Sequence, residues 1–151
     1  MILLENACTI AAPPEAVFAH LSDPASYVGL SPLVIAVHDV RTDADGVTRY
    51  RAVERFGLPA GWHLPAGLHY DNVIAVTLTA SLGDRTISGD VVSPGWVRMA
   101  YRYVIEPVDG GTRLTDELRL RAPVGLRTFA SRRAREVQLA RAEILATRLA
   151  A

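Results

Sequence analysis

The chain has 151 residues and a mass of 16.3 kDa, half of them hydrophobic, so one domain spanning residues 1–151 with a sizeable core is expected. Sixteen basic and sixteen acidic residues cancel, and every one of the bases is Arg, which argues against a nucleic-acid partner held by net charge. The single cysteine, Cys8, rules out an internal disulfide and a Cys-rich metal site. With no basic leader and no apolar run of about twenty residues, no membrane span is expected and the cytoplasm is the expected location.

Residues 2 to 10 place Ile2, Leu4, Asn6, Cys8 and Ile10 on one face, the period of a strand. Pro13 and Pro14 end it and open a short helix from about residue 13 to Leu21, with Glu15 at the positive end of its dipole and Val17, Phe18 and Leu21 turned inward. Ser22-Asp23-Pro24 breaks that helix and caps a second helical turn through Tyr27, which Gly29 and Pro32 end.

Six strands follow, over residues 33 to 42, 47 to 57, 68 to 80, 84 to 92, 96 to 106 and 112 to 121. Their dividers are hairpin chemistry: Asp43-Ala44-Asp45-Gly46, Gly83-Asp84, Ser93-Pro94-Gly95 and Asp109-Gly110-Gly111. Such short connections make neighbouring strands antiparallel. Only Gly57 to Gly67, which carries Pro59, Gly61 and Pro65, reads as a longer loop.

Beyond Pro123 and Gly125, Leu126 to Leu149 lacks Pro and Gly and is rich in Ala, Leu, Arg and Glu, which predicts one long helix. Leu126, Ala130, Ala134, Val137, Ala140, Ile144 and Leu145 form its broad apolar face, with Arg132, Arg135, Glu136 and Glu143 turned away. The fold class is therefore α+β, with helices covering one face of an antiparallel sheet.

Two stretches carry a resemblance. Ile10-Ala11-Ala12-Pro13-Pro14-Glu15-Ala16-Val17-Phe18, with Leu21-Ser22-Asp23-Pro24-Ala25-Ser26-Tyr27 and Ser31-Pro32, resembles the opening of the polyketide cyclase/dehydrase branch of the START/Bet v 1-like (SRPBCC) superfamily. Glu106-Pro107-Val108-Asp109-Gly110-Gly111-Thr112-Arg113-Leu114-Thr115 and Ala122-Pro123-Val124-Gly125 resemble its last hairpin and the approach to its terminal helix. The resemblance spans essentially the whole chain and implies a helix-grip fold: a seven-stranded curved antiparallel sheet wrapped around the long C-terminal helix, with two short helices between strands one and two. It also implies a cavity between sheet and helix. The family includes aromatase/cyclases, lipid and sterol carriers and hormone receptors. Where members often carry a Trp after the second short helix, this chain reads Val28-Gly29-Leu30-Ser31-Pro32, so a different cavity mouth is expected there.

Strand period assigns the side chains that face such a cavity. They are Val97, Met99, Tyr101, Tyr103 and Ile105; Leu68, Tyr70, Asn72, Ile74, Val76 and Leu78; Leu114, Asp116, Leu118 and Leu120; and Tyr50, Ala52, Glu54 and Phe56. The strand from Leu33 fits either face, Val34, Ala36, His38 and Val40 or the alternate set.

Polar residues on apolar faces are the informative ones, because an unpaired buried carboxylate is costly or shifts its pKa. Glu54 and Asp116 are the candidate acid/base groups. Against this, Asp116 has the plainer role of accepting hydrogen bonds from the long helix or the backbone, and Glu54 that of sitting solvated near a strand end. The ligand-binding candidates are Tyr50, Phe56, Tyr70, Asn72, Ile74, Met99, Tyr101, Tyr103, Arg133, Val137 and Arg141. Arg133 and Arg141 interrupt the helix's apolar arc, either snorkelling at the cavity rim or pairing with Glu54, Asp116 or a ligand oxygen.

His20, His38, His63 and His69 show no metal spacing, and no nucleophile elbow, phosphate-binding loop or dinucleotide fingerprint is present, so no metal and no cofactor are expected. His63 beside Trp62 either shapes a pocket entrance or lies exposed. The expected partner is a hydrophobic, aromatic or polycyclic small molecule, either cyclised or dehydrated without a cofactor or simply carried, as a lipid, sterol or quinone would be. The oligomeric state stays open, a homodimer included.

Overall fold

The structure is a computed structural model and describes residues 1–57 and 69–150. Strand β1 (Ile2–Ile10) leads into helix α1 (Pro14–Ser22) and a 3-10 turn (Pro24–Tyr27). Six strands follow: β2 (Val34–Thr42), β3 (Thr48–Gly57), β4 (His69–Ser81), β5 (Thr86–Ser93), β6 (Val97–Val108) and β7 (Gly111–Arg121). A short turn (Val124–Leu126) then opens the long helix α2 (Arg127–Leu149). All seven strands form one open antiparallel sheet in the order β1-β7-β6-β5-β4-β3-β2, with α2 against β1 and β7: the helix-grip arrangement. No helix among the described residues is long and apolar enough to cross a membrane.

The local chemistry explains the element ends. Pro14 starts α1, where no backbone donor is needed, and Asp23 caps the following turn by accepting from the Ala25 N–H at 3.0 Å. The Tyr27 hydroxyl returns to the Leu21 carbonyl at 2.7 Å and locks that turn under the sheet. The β1–β7 pairing is regular from Ile2↔Leu120 to Ile10↔Thr112, so the alternation read in both strands survives intact.

β2 fits no single alternation because it is bulged twice. Val34 faces Glu54 and Val37 faces Ala52, so an extra residue between them changes the parity and puts both valines on the core side. A second irregularity between His38 and Arg41 contains Asp39 at φ 56°.

The apolar face of α2 also needs correction. Leu145 is buried, but so is Gln138, while Leu126 is 40% exposed. Arg135, expected to point away, reaches the Glu5 carbonyl at 2.9 Å and Gln138 Oε1 at 2.9 Å. Gln138 Nε2 in turn donates to the Asp116 carbonyl at 3.0 Å and the Leu4 carbonyl at 3.3 Å. The helix therefore does not rest on a continuous apolar bed: one flank is hydrogen-bonded to β1 and β7, and another looks into a cavity.

Candidate functional site

Between α2 and the inner faces of β3, β4, β5, β6 and β7 lies a cavity of about 460 Å³. Its walls are mostly apolar, from Ala52, Ile74, Val76, Val91, Met99, Leu118 and Leu120 on the sheet to Ala130, Ala134 and Val137 on the helix. Period-two alternation places the strand residues there, and i, i+4 and i+7 spacing brings the helical ones over them.

The cavity has an open end and a closed end. At the open end the Phe56 and Tyr70 rings stack with centroids 5.1 Å apart, and the Arg133 guanidinium lies 5.5 Å from the Phe56 ring and 5.6 Å from Phe129. Tyr70 and Phe129 are about half exposed, 49% and 55%, which identifies this as the mouth. Arg133 also approaches Glu136 at 3.8 Å, so it lies at the rim with its charge toward solvent. Leu68 and the 58–68 segment, with Trp62 and His63, lie outside the described residues.

A polar station lies on the wall inside the mouth. Glu54 and Asn72 face each other across β3 and β4; Asn72 Nδ2 donates to Ser93 Oγ at 3.1 Å and to Glu54 Oε1 at a long 3.4 Å. Burial raises the Glu54 pKa above its ordinary value, opposed by the Asn72 hydrogen bond and the Arg133 charge. Both Glu54 and Asn72 line the cavity.

The closed end is built around Arg141. Its Nη2 donates to Asp116 Oδ2 at 2.8 Å, its Nη1 to Ser31 Oγ at 3.3 Å, and its guanidinium lies 5.5 Å from the Tyr103 ring. The ion pair is removed from water, with side-chain exposures of 12% for Arg141 and 7% for Asp116. Burial works against the Arg141 charge, yet Tyr103 and Asp116 outweigh it and raise its pKa. Tyr27, Tyr50, Tyr101 and Tyr103 gather around this end; burial first and mutual repulsion second push the Tyr50 phenol up, and burial takes that of Tyr103 to about 12. Arg141 Nε and Asp116 Oδ1 are buried and without a hydrogen-bond partner among the described residues, an arrangement that costs about 1 to 3 kcal/mol for each group.

Every residue expected to contact a ligand lines this one cavity: Tyr50, Phe56, Tyr70, Asn72, Ile74, Met99, Tyr101, Tyr103, Arg133, Val137 and Arg141. Asp116 does not line it; it stands behind Arg141 and accepts from the helix, so its carboxylate orients a cation and does not face a ligand. Ser31 belongs to the segment expected at the mouth, yet it is 9% exposed and sits at the closed end, because the 3-10 turn tucks it beneath α2. Among the described residues no group of three or more His, Cys, Asp or Glu could hold a metal ion.

Sequence reasoning missed Ser31 and Gln138. Gln138 falls at i+4 from Ala134 and seven residues before Leu145, so its spacing within the buried arc was the available signal. Ser31 had none, because its position depends on the turn.

Residues 1–150 match the family model described as polyketide cyclase / dehydrase and lipid transport. No curated protein matches the chain in sequence. Among solved structures, a Thermus thermophilus protein is 18% identical with a TM-score of 0.74, covering 98% of this chain and 97% of its own. A START superfamily protein from Mycobacterium smegmatis is 17% identical with a TM-score of 0.73, covering 97% and 96%. The Zhui aromatase/cyclase from Streptomyces sp. R1128 is 18% identical with a TM-score of 0.63, covering 94% and 92%. At such identities these likenesses speak for the fold alone.

Proposed function

This chain belongs to the polyketide cyclase / dehydrase and lipid transport family, and from that premise we propose that its cavity binds a hydrophobic, aromatic or polycyclic small molecule. The observation that carries this reading is the cavity itself, about 460 Å³ of mostly apolar space with its polar groups in three places: Arg133 and Tyr70 at the mouth, Glu54, Asn72 and Ser93 on one wall, and Arg141 with Ser31 and the tyrosines at the closed end. A close-packed core leaves few voids larger than a water molecule.

The chemistry available there is a cofactor-free aldol cyclisation or dehydration. Glu54 as carboxylate takes a proton from a carbon flanked by carbonyls, and the enolate carbon attacks a second carbonyl of the same ligand to form a ring C–C bond. Protonated Glu54 then returns the proton to the oxygen of that carbonyl, which completes the aldol. In the dehydration Glu54 takes a second α-proton, the C–H electrons form a C=C bond as the C–O bond breaks, and the departing hydroxyl takes that proton and leaves as water. Burial raises the Glu54 pKa, which makes its carboxylate a stronger base toward a carbon acid.

One observation favours the second reading, a carrier without catalysis: Glu54 is the lone carboxylate among the described residues lining the cavity, since Asp116 is spent on Arg141. Native mass spectrometry of protein purified from its own host identifies the ligand, and turnover of that ligand by wild type and by Glu54→Gln separates the readings. Turnover lost in the variant supports the enzyme; full turnover in the variant removes Glu54 from the chemistry; an unchanged ligand with wild type supports the carrier.

A further inference from the structure

We propose that the closed end of the cavity is a carbonyl-recognising subsite, in which Arg141 and Tyr50 receive a neutral ketone or quinone oxygen on the inner edge of a fused-ring ligand. The inference rests on the ligand-binding reading above and names the ligand class that reading leaves open.

Three features point to an oxygen acceptor. Arg141 lines the cavity with 12% of its side chain accessible; Nη1 and Nη2 each hold one partner, Ser31 and Asp116, and each carries a second N–H, whereas the unpartnered Nε is closed off from the cavity. Tyr50 lines the same end. Two of the neighbouring phenols are already engaged: Tyr27 donates to the Leu21 carbonyl and Tyr101 to the Thr77 carbonyl at 2.6 Å. A purely apolar ligand would leave the cavity-facing donors of Arg141 and the Tyr50 hydroxyl without an acceptor, whereas an oxygen at the ring edge supplies one.

Charge then decides which oxygen. Asp116 neutralises Arg141 at 2.8 Å, so the closed end carries a strong donor without net charge. A carboxylate brought there would be stripped of water and would meet the Asp116 charge behind the guanidinium; a carbonyl brings a lone pair and no charge to desolvate.

Distance sets the ligand's length. Tyr50 and Glu54 lie four residues apart on one face of β3, roughly 13 Å along the strand at about 3.3 Å per residue. A ligand whose carbonyl meets Arg141 and Tyr50 and whose far edge reaches Glu54 is therefore elongated, of the size of two to three fused rings.

The test uses N-phenylnaphthylamine fluorescence as the reporter of cavity occupancy, with acetylnaphthalene, ethylnaphthalene and naphthoate as competitors. The first two differ by one carbonyl oxygen, and the third replaces it with a carboxylate. Wild type should release the reporter to acetylnaphthalene at about tenfold lower concentration than to ethylnaphthalene, the effect of one buried hydrogen bond to a charged donor, and naphthoate should not surpass acetylnaphthalene. In the paired variant Arg141→Met with Asp116→Leu, which removes the ion pair without leaving a lone charge, the advantage of the carbonyl should vanish while the reporter still binds. Tyr50→Phe, which keeps the ring and deletes one donor, should shrink the advantage and stands in if the paired variant does not fold.

Equal displacement by acetylnaphthalene and ethylnaphthalene on wild type overturns the inference, as does an advantage that survives both variants. Naphthoate competing tenfold better than acetylnaphthalene would make the subsite one for anions and overturn the carbonyl assignment. No saturable reporter binding to wild type would instead overturn the ligand-binding reading, and this inference with it.

Discussion

Replacing Asp116 by Asn keeps the shape of the side chain and removes its charge, which leaves Arg141 buried without a counter-ion. The pair is 2.8 Å apart with side-chain exposures of 12% and 7%, so solvent screening that reduces surface pairs to about 0–1 kcal/mol is absent here. Breaking one partner of such a buried pair costs about 3 to 5 kcal/mol, and the Asn amide oxygen, which can still accept from Nη2, puts Asp116→Asn near the lower bound. For a chain of this length about 3 kcal/mol lowers Tm by roughly 6–12 °C. Arg141→Met combined with Asp116→Leu removes both charges and fills the volume with apolar atoms, so its stability should return to within about 1 kcal/mol of wild type. Urea denaturation of wild type, Arg141→Met, Asp116→Leu and the double variant, with Asp116→Asn beside them, measures the coupling directly. A loss below about 1 kcal/mol for Asp116→Asn, or a double variant whose loss equals the sum of the singles, would show that the pair behaves as an exposed one and refute the closed end described above.

Three further outcomes follow from other contacts. The Glu54 pKa is raised in the folded protein, so its contribution to stability is complete below the ordinary value of 4.5 and is lost as pH rises through the folded value; Glu54→Gln should therefore stabilise the protein at pH near 7 and match wild type below pH about 4, and urea midpoints identical at both pH values would contradict this. Gly89→Ala would bring a Cβ into the Thr77 carbonyl oxygen and within 2.6 Å of the Tyr101 hydroxyl, so a loss of about 1–3 kcal/mol in urea denaturation is expected and a neutral result would mean that β4 and β5 are spaced differently. His20 is held below its ordinary pKa by burial and by Arg148, whose Nη1 lies 3.2 Å from His20 Nε2; the stability it supports is present above pH about 6.5 and lost as pH falls from there toward the folded value, so His20→Gln should show a shallower fall in Tm from pH 7 to 5 than wild type.

The strands were legible where alternation is unbroken. In β6 the sequence Val97-Arg98-Met99-Ala100-Tyr101-Arg102-Tyr103 separates its faces by charge alone, and the structure keeps that separation. β2 was not legible because two bulges change its parity, and a bulge is chosen by the pairing strand and leaves no mark in the residues themselves. Cavity walls could be named from the strand period, because any inward residue of the central strands must face either the helix or the space beside it. The roles of the polar residues could not: whether Asp116 faces a ligand or a cation depends on the rotation of α2, which the apolar arc fixed only broadly because Gln138 and Arg135 share in setting it. The division into a rim with Arg133 and a closed end with Arg141 likewise comes from the eight residues, just over two helical turns, that separate them along α2, together with the tuck of Ser31 beneath it.

The central claim is that the space between sheet and helix is a ligand cavity, and Val137→Trp tests it most directly, since Val137 lines that space from α2. N-phenylnaphthylamine titration and thermal unfolding are measured on wild type and variant together. A ligand cavity predicts saturable binding to wild type, binding weakened at least about tenfold in the variant, and little change in Tm, because the added indole enters open volume. Absent binding to wild type, or unchanged affinity in a variant destabilised by about 1–3 kcal/mol through overpacking, would mean that Val137 faces solid core and that no such cavity exists.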